Sequence, residues 1–255
     1  MSTFMDEYRS KLISAEQAAR LVKSGMVIEY GQFATKPVDF DRALGARAGE
    51  ENLTDVTVRA TGTVLPVPEV VKNDPQHKSF TYGSWYCTAV DRKMGDFGLC
   101  IHYPFNYHEA NNVGTLSSFQ HRWCDIWVAQ TTPMDRGGCF NFGLGNSHSY
   151  ALGSTAKIRI VEVNTNMPRC LGGFEEGIPL DEVDYIIEGS NSPIFVTPPS
   201  PAPNEAEQKI AEFIVEEIRD GSCIQLGIGA LPNTIGMMLA DSDLKDLGVQ
   251  SEMWL

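Results

Sequence analysis

One stretch decides the fold of this chain: Ser222-Cys223-Ile224-Gln225-Leu226-Gly227-Ile228-Gly229-Ala230-Leu231-Pro232-Asn233. Its first five residues are typical of a short apolar strand, and the glycines that follow predict a turn. A short helix to about Asp241 and a second strand over residues 249–255 are predicted next. Such a unit brings two parallel strands together with their carboxyl ends at one crevice. We therefore expect Glu252, on the second strand, to lie beside the Gly227 turn.

The glycines of this turn have a specific physical use. They let backbone N–H groups approach an anion or a thioester carbonyl, and the N-terminus of the following helix adds positive potential. One alternative is a dinucleotide-binding fingerprint with Glu252 on the ribose hydroxyls. Its third glycine would fall at Pro232, however, and Glu252 lies 25 residues after Gly227, where about 20 is usual. The other alternative is a turn that serves only tight packing of the strand against the helix.

Glu252 itself leaves several interpretations open. It stands between Ser251 and Met253 at the end of a strand that is predicted to be buried. Because carboxylates are rarely buried without a partner, such a residue is ion-paired or functional, unless the strand end is solvated. Position alone does not choose among these interpretations.

The rest of the chain predicts an α/β architecture. Short β-branched runs alternate with helical or glycine-rich stretches, which indicates a largely parallel sheet layered with helices. The clearest predicted strands are residues 26–30, 56–58, 126–129 and 158–163. Capping patterns predict one helix over residues 14–25 and another over residues 204–220. The second helix should bury one apolar face, made of Ile210, Phe213, Ile214 and Ile218.

A proline-rich segment divides the chain. Four prolines lie between residues 197 and 204, where they exclude both helix and sheet. We therefore predict a lobe over residues 1–196, a linker over 197–204 and the start of a second lobe over 205–255. The roughly 50 residues after the linker are few for an independent domain, and the last strand would lack flanking helices. The second lobe is accordingly expected to be truncated.

Composition and charge exclude several classes of protein. The 255 residues are 42 % hydrophobic and 21 % charged, as in a globular chain. With 20 Lys+Arg against 33 Asp+Glu the net charge is -13, which argues against non-specific nucleic-acid binding. No apolar stretch approaches a membrane span, and the N-terminal residues lack a signal-peptide pattern. The six cysteines are scattered without a Cys-x-x-Cys pair, so we expect reduced thiols and a cytoplasmic protein.

Other polar residues are weaker candidates for a site. The spacing of His102, His108 and Glu109 suits neither a helical nor a strand-borne metal pair, so no metal site is predicted. His148 lies in Gly145-Asn146-Ser147-His148-Ser149, which resembles a nucleophile elbow but lacks its closing glycine. Four residues that follow predicted strands are hypotheses for an acyl-group pocket: Gln32, Phe33, Ser84 and Trp85.

Several segments are similar to one protein family. They are Pro133-Met134-Asp135 with Phe140-Asn141-Phe142-Gly143; Val161-Glu162-Val163-Asn164 with Met167-Pro168-Arg169-Cys170-Leu171-Gly172-Gly173; Ile187-Glu188-Gly189-Ser190-Asn191; and Gln225-Leu226-Gly227-Ile228-Gly229 with Leu247-Gly248-Val249 and Ser251-Glu252-Met253. Together they resemble the acetyl-CoA hydrolase/transferase family, and most closely its butyryl-CoA:acetate and 4-hydroxybutyrate CoA-transferases. The resemblance runs from about Tyr8 to the end of the chain.

This resemblance implies an α/β, CoA-transferase-like fold and an enzyme that moves CoA between an acyl-CoA and a short-chain carboxylate. It implies Glu252 as the catalytic nucleophile, acting through a glutamyl-CoA thioester. The implied CoA-binding residues are Gly227, Ile228, Gly229, Ala230 and Leu231, although the family usually has a glycine where Ala230 stands. CoA is then a substrate and no cofactor is bound permanently. The resemblance also implies a homodimer, whereas charge and hydropathy are the grounds for expecting no nucleic-acid or membrane partner.

Two alternatives to CoA transfer stay open. Water that reaches the same thioester would make the protein an acyl-CoA hydrolase. A non-catalytic nucleotide-binding fragment could use the same turn. Members of the family continue with a second glycine-rich CoA-binding stretch that is not found in these 255 residues. Inactivity of the chain by itself is therefore a further expectation.

Overall fold

The described chain divides into two units. A computed structural model describes residues 2–104, 106–109, 123–196 and 202–251. One unit covers Met1–Phe195 and the other Val196–Leu255. The predicted linker begins at residue 197, and its residues 197–201 lie outside the described ranges.

Nine strands are found in the described part of the first unit: β1 Val27–Tyr30, β2 Val56–Ala60, β3 Phe80–Ser84, β4 Ile101–His102, β5 Ile126–Thr131, β6 Cys139–Asn141, β7 Ile158–Val163, β8 Gly177–Pro179 and β9 Tyr185–Glu188. Seven of them form one parallel sheet in the order β4-β3-β2-β1-β5-β7-β9. The strands β6 and β8 pair antiparallel in a small separate sheet. The predicted α/β architecture is confirmed, and the four clearest predicted strands correspond to β1, β2, β5 and β7.

The strand order reverses beside β1. From β1 the chain proceeds to β2, β3 and β4 on one side, and it later places β5, β7 and β9 on the other side. The loops after β1 and β5 therefore diverge, which opens a crevice at the carboxyl ends of these two strands. The residue after β1, Gly31, packs directly against β5. A Cβ at this position would lie only 2.6 Å from the Ala129 Cβ, so there is no room for a side chain. Ligand sites of open parallel sheets lie at such a reversal.

Six helices are described in the first unit: α1 Ser2–Lys11, α2 Ala15–Ala19, α3 Asp39–Gly45, α4 Glu69–Lys72, α5 Ala89–Asp96 and α6 Ser149–Thr155. The predicted capping box of α2 is confirmed, since Ser14 Oγ accepts from the Gln17 N–H at 3.1 Å and Gln17 Oε1 accepts from the Ser14 N–H at 2.8 Å. The helix ends at Ala19, however, well before the predicted residue 25. Arg47 donates to the carbonyl oxygens of Ala19 and Val22, which the next helical turn would otherwise use.

The core of the first unit has two apolar clusters. Along β5, Ile126 and Val128 belong to one cluster, whereas Trp127 and Ala129 belong to the other. Because successive residues of a strand point to opposite faces, the two clusters lie on opposite faces of the sheet. Burial of both faces is the usual condition of a parallel sheet.

The second unit is a small parallel crossover. It contains α7 Glu205–Glu217, β10 Cys223–Ile224, α8 Ala230–Ala240 and β11 Gly248–Val249. The strands β10 and β11 pair parallel, with Cys223 opposite Gly248. The predicted strand–turn–helix–strand order is confirmed; β10 is shorter than predicted, and residues 252–255 of the second predicted strand lie outside the described ranges. Across the described ranges of both units, every helix is too short or too polar to cross a bilayer.

The predicted buried face of α7 is wrong in part. Ile210, Phe213 and Ile214 are 44 %, 57 % and 40 % exposed. The residues that pack against α8 are instead Ala211, Val215 and Ile218, around Ile235 and Leu239. Ala211 is completely buried. Because this side chain is small, α7 and α8 approach each other closely there. The buried face of α7 therefore lies next to the face that carries the larger apolar residues, and does not coincide with it.

We expect Asn204→Ala to destabilise the second unit by about 1 kcal/mol. Asn204 Oδ1 accepts from the Glu207 N–H at 2.9 Å, and Glu207 Oε2 accepts from the Asn204 N–H at 2.8 Å. Alanine removes the first of these bonds and leaves a helix N–H without a partner. Urea unfolding followed by circular dichroism measures the difference. Asn204→Asp is the matched control and should retain most of the stability, so equal losses in the two variants would contradict this account.

Candidate functional site

The glycine-rich turn of the second unit leads from β10 into α8. Gly227, Ile228 and Gly229 lie in the turn, and Ala230 and Leu231 are the first residues of the helix. Gly229 has a φ of +138°, which residues with side chains rarely adopt. Among the described residues, a Cβ added at Gly227 would meet nothing nearer than 3.9 Å beyond its chain neighbours. Tight strand-to-helix packing therefore does not explain the absence of a side chain at Gly227.

The end of β11 is tied to the same turn. Ser251 Oγ accepts a hydrogen bond from the Leu226 N–H at 2.9 Å. Ser251 therefore contacts the residue directly before Gly227. Glu252 follows Ser251 but lies outside the described residues, so its predicted place beside the turn stays a prediction.

A shallow opening of about 440 Å³ lies at these strand ends. Its lining consists of Cys223, Ile224, Gln225, Gln250 and Ser251. The polar groups of this lining are amides and a hydroxyl, which are uncharged. Such groups hydrogen-bond to carbonyl and amide groups of a ligand without requiring that the ligand carry charge.

The residues suggested for an acyl-group pocket lie at the carboxyl edge of the first unit's sheet. Gln32 and Phe33 follow β1, and Ser84 ends β3. Phe33 and Ser84 meet at Gly62: the Phe33 ring occupies the space where a Gly62 side chain would lie, and Ser84 Oγ accepts from the Gly62 N–H at 3.3 Å. Phe33 also contacts the ring of Tyr86 edge-on, with 5.7 Å between centroids. The structure thus brings two of the four suggested residues together at one glycine.

Trp85, the fourth of these residues, belongs to a buried ion pair. Its Nε1 donates to Glu29 Oε1 at 2.6 Å, and Arg59 Nε donates to Glu29 Oε2 at 2.6 Å. The Arg59 guanidinium lies 5.1 Å from the centroid of the Trp85 ring. Burial raises the pKa of Glu29, and Arg59 opposes that shift. Glu29 and Arg59 each interrupt an apolar strand. Two opposite charges in such positions are the signal in the sequence that could have predicted this buried ion pair.

A second buried carboxyl group, Glu162, stands in one of the family-like segments, but the sequence alone assigned it no role. Glu162, on β7, accepts from the N–H groups of Val38 and Phe40 at 2.7 and 2.9 Å, and from Gln130 Nε2 at 3.2 Å. It therefore joins the start of α3 to the end of β5. Burial raises its pKa to about 7, and the backbone N–H donors oppose the rise.

His148 is a buried neutral imidazole. It is 3 % exposed, its Nε2 lies 2.7 Å from Thr61 Oγ1, and its Nδ1 lies 3.1 Å from Ser147 Oγ. Burial lowers its pKa from 6.5 to about 4. The two hydroxyl partners, and the absence of a carboxylate on the ring within the part of the chain that is described, indicate a packed core histidine. His102 ends β4 and His108 lies in the short 3-10 helix Tyr107–Glu109, and no group of three metal-ligating side chains occurs within the described ranges.

We expect His148 to make stability depend on pH. The unfolded chain takes up a proton on this residue near pH 6.5, whereas the folded chain does so only near pH 4. The folded state therefore loses stability as the pH falls through this interval, by roughly 3 kcal/mol in total. Thermal unfolding at pH 7.5 and pH 4.5 measures the loss. His148→Gln should show a smaller loss than the parent protein, and identical losses would contradict the assignment. The raised pKa values of Glu162 and Asp41 act in the opposite direction, but equally in both proteins.

A family model and several known proteins are similar to this chain. The model described as acetyl-CoA hydrolase/transferase N-terminal domain matches residues 2–198. A butyryl-CoA:acetate CoA-transferase of Anaerostipes caccae is 41 % identical over 99 % of this chain and 55 % of its own length. A probable butyrate:acetyl-CoA coenzyme A-transferase of Syntrophomonas wolfei is 43 % identical over 98 % of this chain and 54 % of its own length. The chain thus spans about half the length of these curated relatives.

A solved structure is also similar along nearly the whole chain. RipA from Yersinia pestis has a TM-score of 0.84 and 28 % sequence identity. The similarity covers 98 % of this chain and 57 % of the RipA chain. It therefore extends from the seven-stranded sheet into the crossover of the second unit.

Proposed function

The chain belongs to the acetyl-CoA hydrolase/transferase family, and from this premise we propose that its activity is acyl-CoA:carboxylate CoA transfer. The relatives named as butyryl-CoA:acetate and butyrate:acetyl-CoA transferases support short-chain acyl groups as the substrates. The observation that carries the proposal is the turn at Gly227: within the described ranges, no atom beyond the chain neighbours lies nearer than 3.9 Å to the position that a Gly227 Cβ would take. A backbone open in this way lets CoA approach the N–H groups at the start of α8.

In the proposed mechanism, Glu252 is the catalytic nucleophile. Its carboxylate attacks the thioester carbonyl of the acyl-CoA, and the C–S bond breaks to give an acyl-glutamyl anhydride and CoA thiolate. The thiolate then attacks the glutamyl carbonyl, which releases the free carboxylate and leaves a glutamyl-CoA thioester. An incoming acid reverses both steps. A carboxylate suits this exchange because the departing and attacking groups have similar basicity.

The backbone around Glu252 would stabilise the oxyanions of these steps. We assign CoA binding to Gly227, Ile228, Gly229, Ala230 and Leu231. An N–H donor preorganised toward an oxyanion lowers the activation free energy by about 3 kcal/mol. Ala230 stands where the family usually has a glycine, but it is the first residue of α8, where a helical backbone accepts alanine without strain. We therefore expect the substitution to leave the turn competent.

Steady-state kinetics distinguish transfer from its alternatives. The protein is incubated with butyryl-CoA and acetate, and the acetyl-CoA formed and the CoA released are separated by chromatography. CoA transfer predicts acetyl-CoA and parallel double-reciprocal plots, as expected for a ping-pong mechanism. Release of free CoA without acetyl-CoA would instead support the hydrolase. Binding of butyryl-CoA without turnover would fit either the non-catalytic nucleotide-binding alternative or the expectation that these 255 residues are inactive by themselves.

Four sequence-based expectations accompany this function. Acyl-CoA and a short-chain acid are proposed as the small-molecule partners, and the carboxylate chemistry calls for no permanently bound cofactor. The homodimer implied by family resemblance stays a prediction, and analytical ultracentrifugation tests it. The cytoplasmic location also stays a prediction, which cell fractionation tests.

A further inference from the structure

A short arm of the chain covers one outer edge of the seven-stranded sheet. At this edge lies β9, which among the described strands pairs only with β7. On the other side of β9 the chain that leaves α1 runs alongside, and Leu12 forms a parallel bridge with Ile186. The Ile13 N–H donates to the Ile186 carbonyl oxygen at 2.9 Å. Residues 2–13, which we call the α1 arm, therefore engage backbone groups that an edge strand would otherwise leave open.

One aromatic side chain anchors the α1 arm. The Tyr8 ring stacks on Phe140 with 6.1 Å between centroids, and its hydroxyl donates to Glu188 Oε1 at 3.1 Å. Burial and the adjacent Glu188 carboxylate raise the pKa of Tyr8, so the hydroxyl keeps the proton that it donates. Lys11 Nζ adds a bond to the Leu180 carbonyl oxygen at 2.7 Å. The arm is thus held by a small number of specific contacts.

The arm is much less buried than the surface that it covers. Among residues 4–13 only Tyr8 is buried, whereas Phe140 and Ile186 beneath the arm are completely buried. Segments with few buried groups open locally at a lower free energy than the core of a protein. Opening of the α1 arm would expose an apolar strand edge while the rest of the sheet stays paired.

The strand β9 has little protection of its own against pairing with another strand. Its sequence, Tyr185-Ile186-Ile187-Glu188, contains neither proline nor lysine, and its one charged residue is engaged by Tyr8. Its four residues pair with β7 in unbroken register, so no bulge turns the strand away. The strand at the opposite end of the sheet order, β4, is only two residues long, and a short edge strand is itself a protection. The longer edge β9 therefore depends on the α1 arm.

We propose that the α1 arm is a detachable guard of β9, and that its release opens a strand-pairing surface for the same edge of a second copy of this chain. A second copy is the partner that fits, because two identical freed edges offer each other matching N–H and C=O groups about a two-fold axis. The apolar surface uncovered with Ile186 is also the same on both copies. The proposal concerns the first unit alone and does not depend on CoA transfer.

The Tyr8→Asp variant of the full chain tests the proposal. Its carboxylate would face the Phe140 ring and the Glu188 carboxylate, so the arm should detach. Hydrogen exchange followed by mass spectrometry should show residues 4–13 exchanging about 10-fold faster than in the parent protein, or more. Analytical ultracentrifugation should give about twice the parental mass, as expected for a two-fold pair. Residues 185–188 should stay protected, because the second copy replaces the arm.

A synthetic peptide with the sequence of residues 2–13 tests whether the association uses β9. In excess it should occupy the freed edge of Tyr8→Asp and restore the parental mass, whereas the same peptide with Tyr8→Asp should not. Tyr8→Phe is the matched protein control, since it keeps the ring and loses one hydrogen bond. Its arm should exchange only about 2- to 10-fold faster than the parental arm, and its mass should stay parental.

Two results would overturn the proposal. One is a Tyr8→Asp protein whose arm exchanges rapidly while its mass stays parental, because the freed edge then does not pair. The other is an association that the parental peptide fails to reverse, because the contact then uses another surface. If Tyr8→Asp does not fold, Tyr8→Ala removes the same anchor without adding a charge, and the same two results decide.

Discussion

Replacing Glu252 by alanine should reduce the rate of CoA transfer by about four orders of magnitude or more. Without the carboxylate neither the anhydride nor the glutamyl-CoA thioester can form, and the bound substrates have no other route of exchange. The rate of acetyl-CoA formation from butyryl-CoA and acetate measures the loss. Glu252→Asp should retain a small part of the activity, because it keeps the nucleophile but withdraws it by one methylene.

Binding and folding controls make this result specific. Glu217→Ala removes an exposed acid from α7 and should leave the rate unchanged. Glu252→Ala should still bind CoA, since the proposed contacts come from the Gly227 turn. A Glu252→Ala protein that transfers CoA at the parental rate would exclude Glu252 as the nucleophile.

Arg59→Met should destabilise the first unit by about 3–5 kcal/mol. The substitution removes the positive charge that opposes the completely buried Glu29 carboxylate and leaves the hydrogen bond from Trp85 Nε1 in place. Loss of one partner of a buried ion pair is more costly than loss of both charges. Denaturant unfolding followed by tryptophan fluorescence measures the free energy.

The double variant Glu29→Gln, Arg59→Met separates charge from packing. Glutamine keeps an acceptor for the Trp85 N–H but carries no charge, so the double variant should be more stable than Arg59→Met alone. If the two variants are equally unstable, lost packing of the Arg59 side chain explains the effect and the buried charge does not.

Local signals in the sequence predicted the architecture well. The β-branched runs correspond to strands of the parallel sheet, and the Ser14–Gln17 capping box forms as its pattern indicates. These features depend on residues a few positions apart. The buried face of α7 was wrong because it depends on how closely another helix approaches, and the small Ala211 decides that approach. Hydropathy alone favoured the larger residues.

The polar groups of the sheet edge were harder to predict. Thr61 and His148 are 87 residues apart, and only the fold brings them within 2.7 Å. Glu162 and the start of α3 are joined in the same way, across more than 100 residues of chain. Gln32 was singled out because it follows a predicted strand, but only the fold shows that its buried Oε1 accepts no hydrogen bond within the described residues. The pattern around Gly227 was more informative, since its residues are consecutive.

The central claim is that CoA becomes covalently attached to Glu252, and mass spectrometry tests it most directly. The protein is mixed with butyryl-CoA, quenched in acid and digested, and the peptide that contains Glu252 is sequenced. We predict a CoA thioester on the Glu252 side chain, which disappears when acetate is added before the quench and is absent from Glu252→Ala. Turnover to acetyl-CoA with the Glu252 peptide unmodified, or a CoA adduct on another residue, would contradict the account.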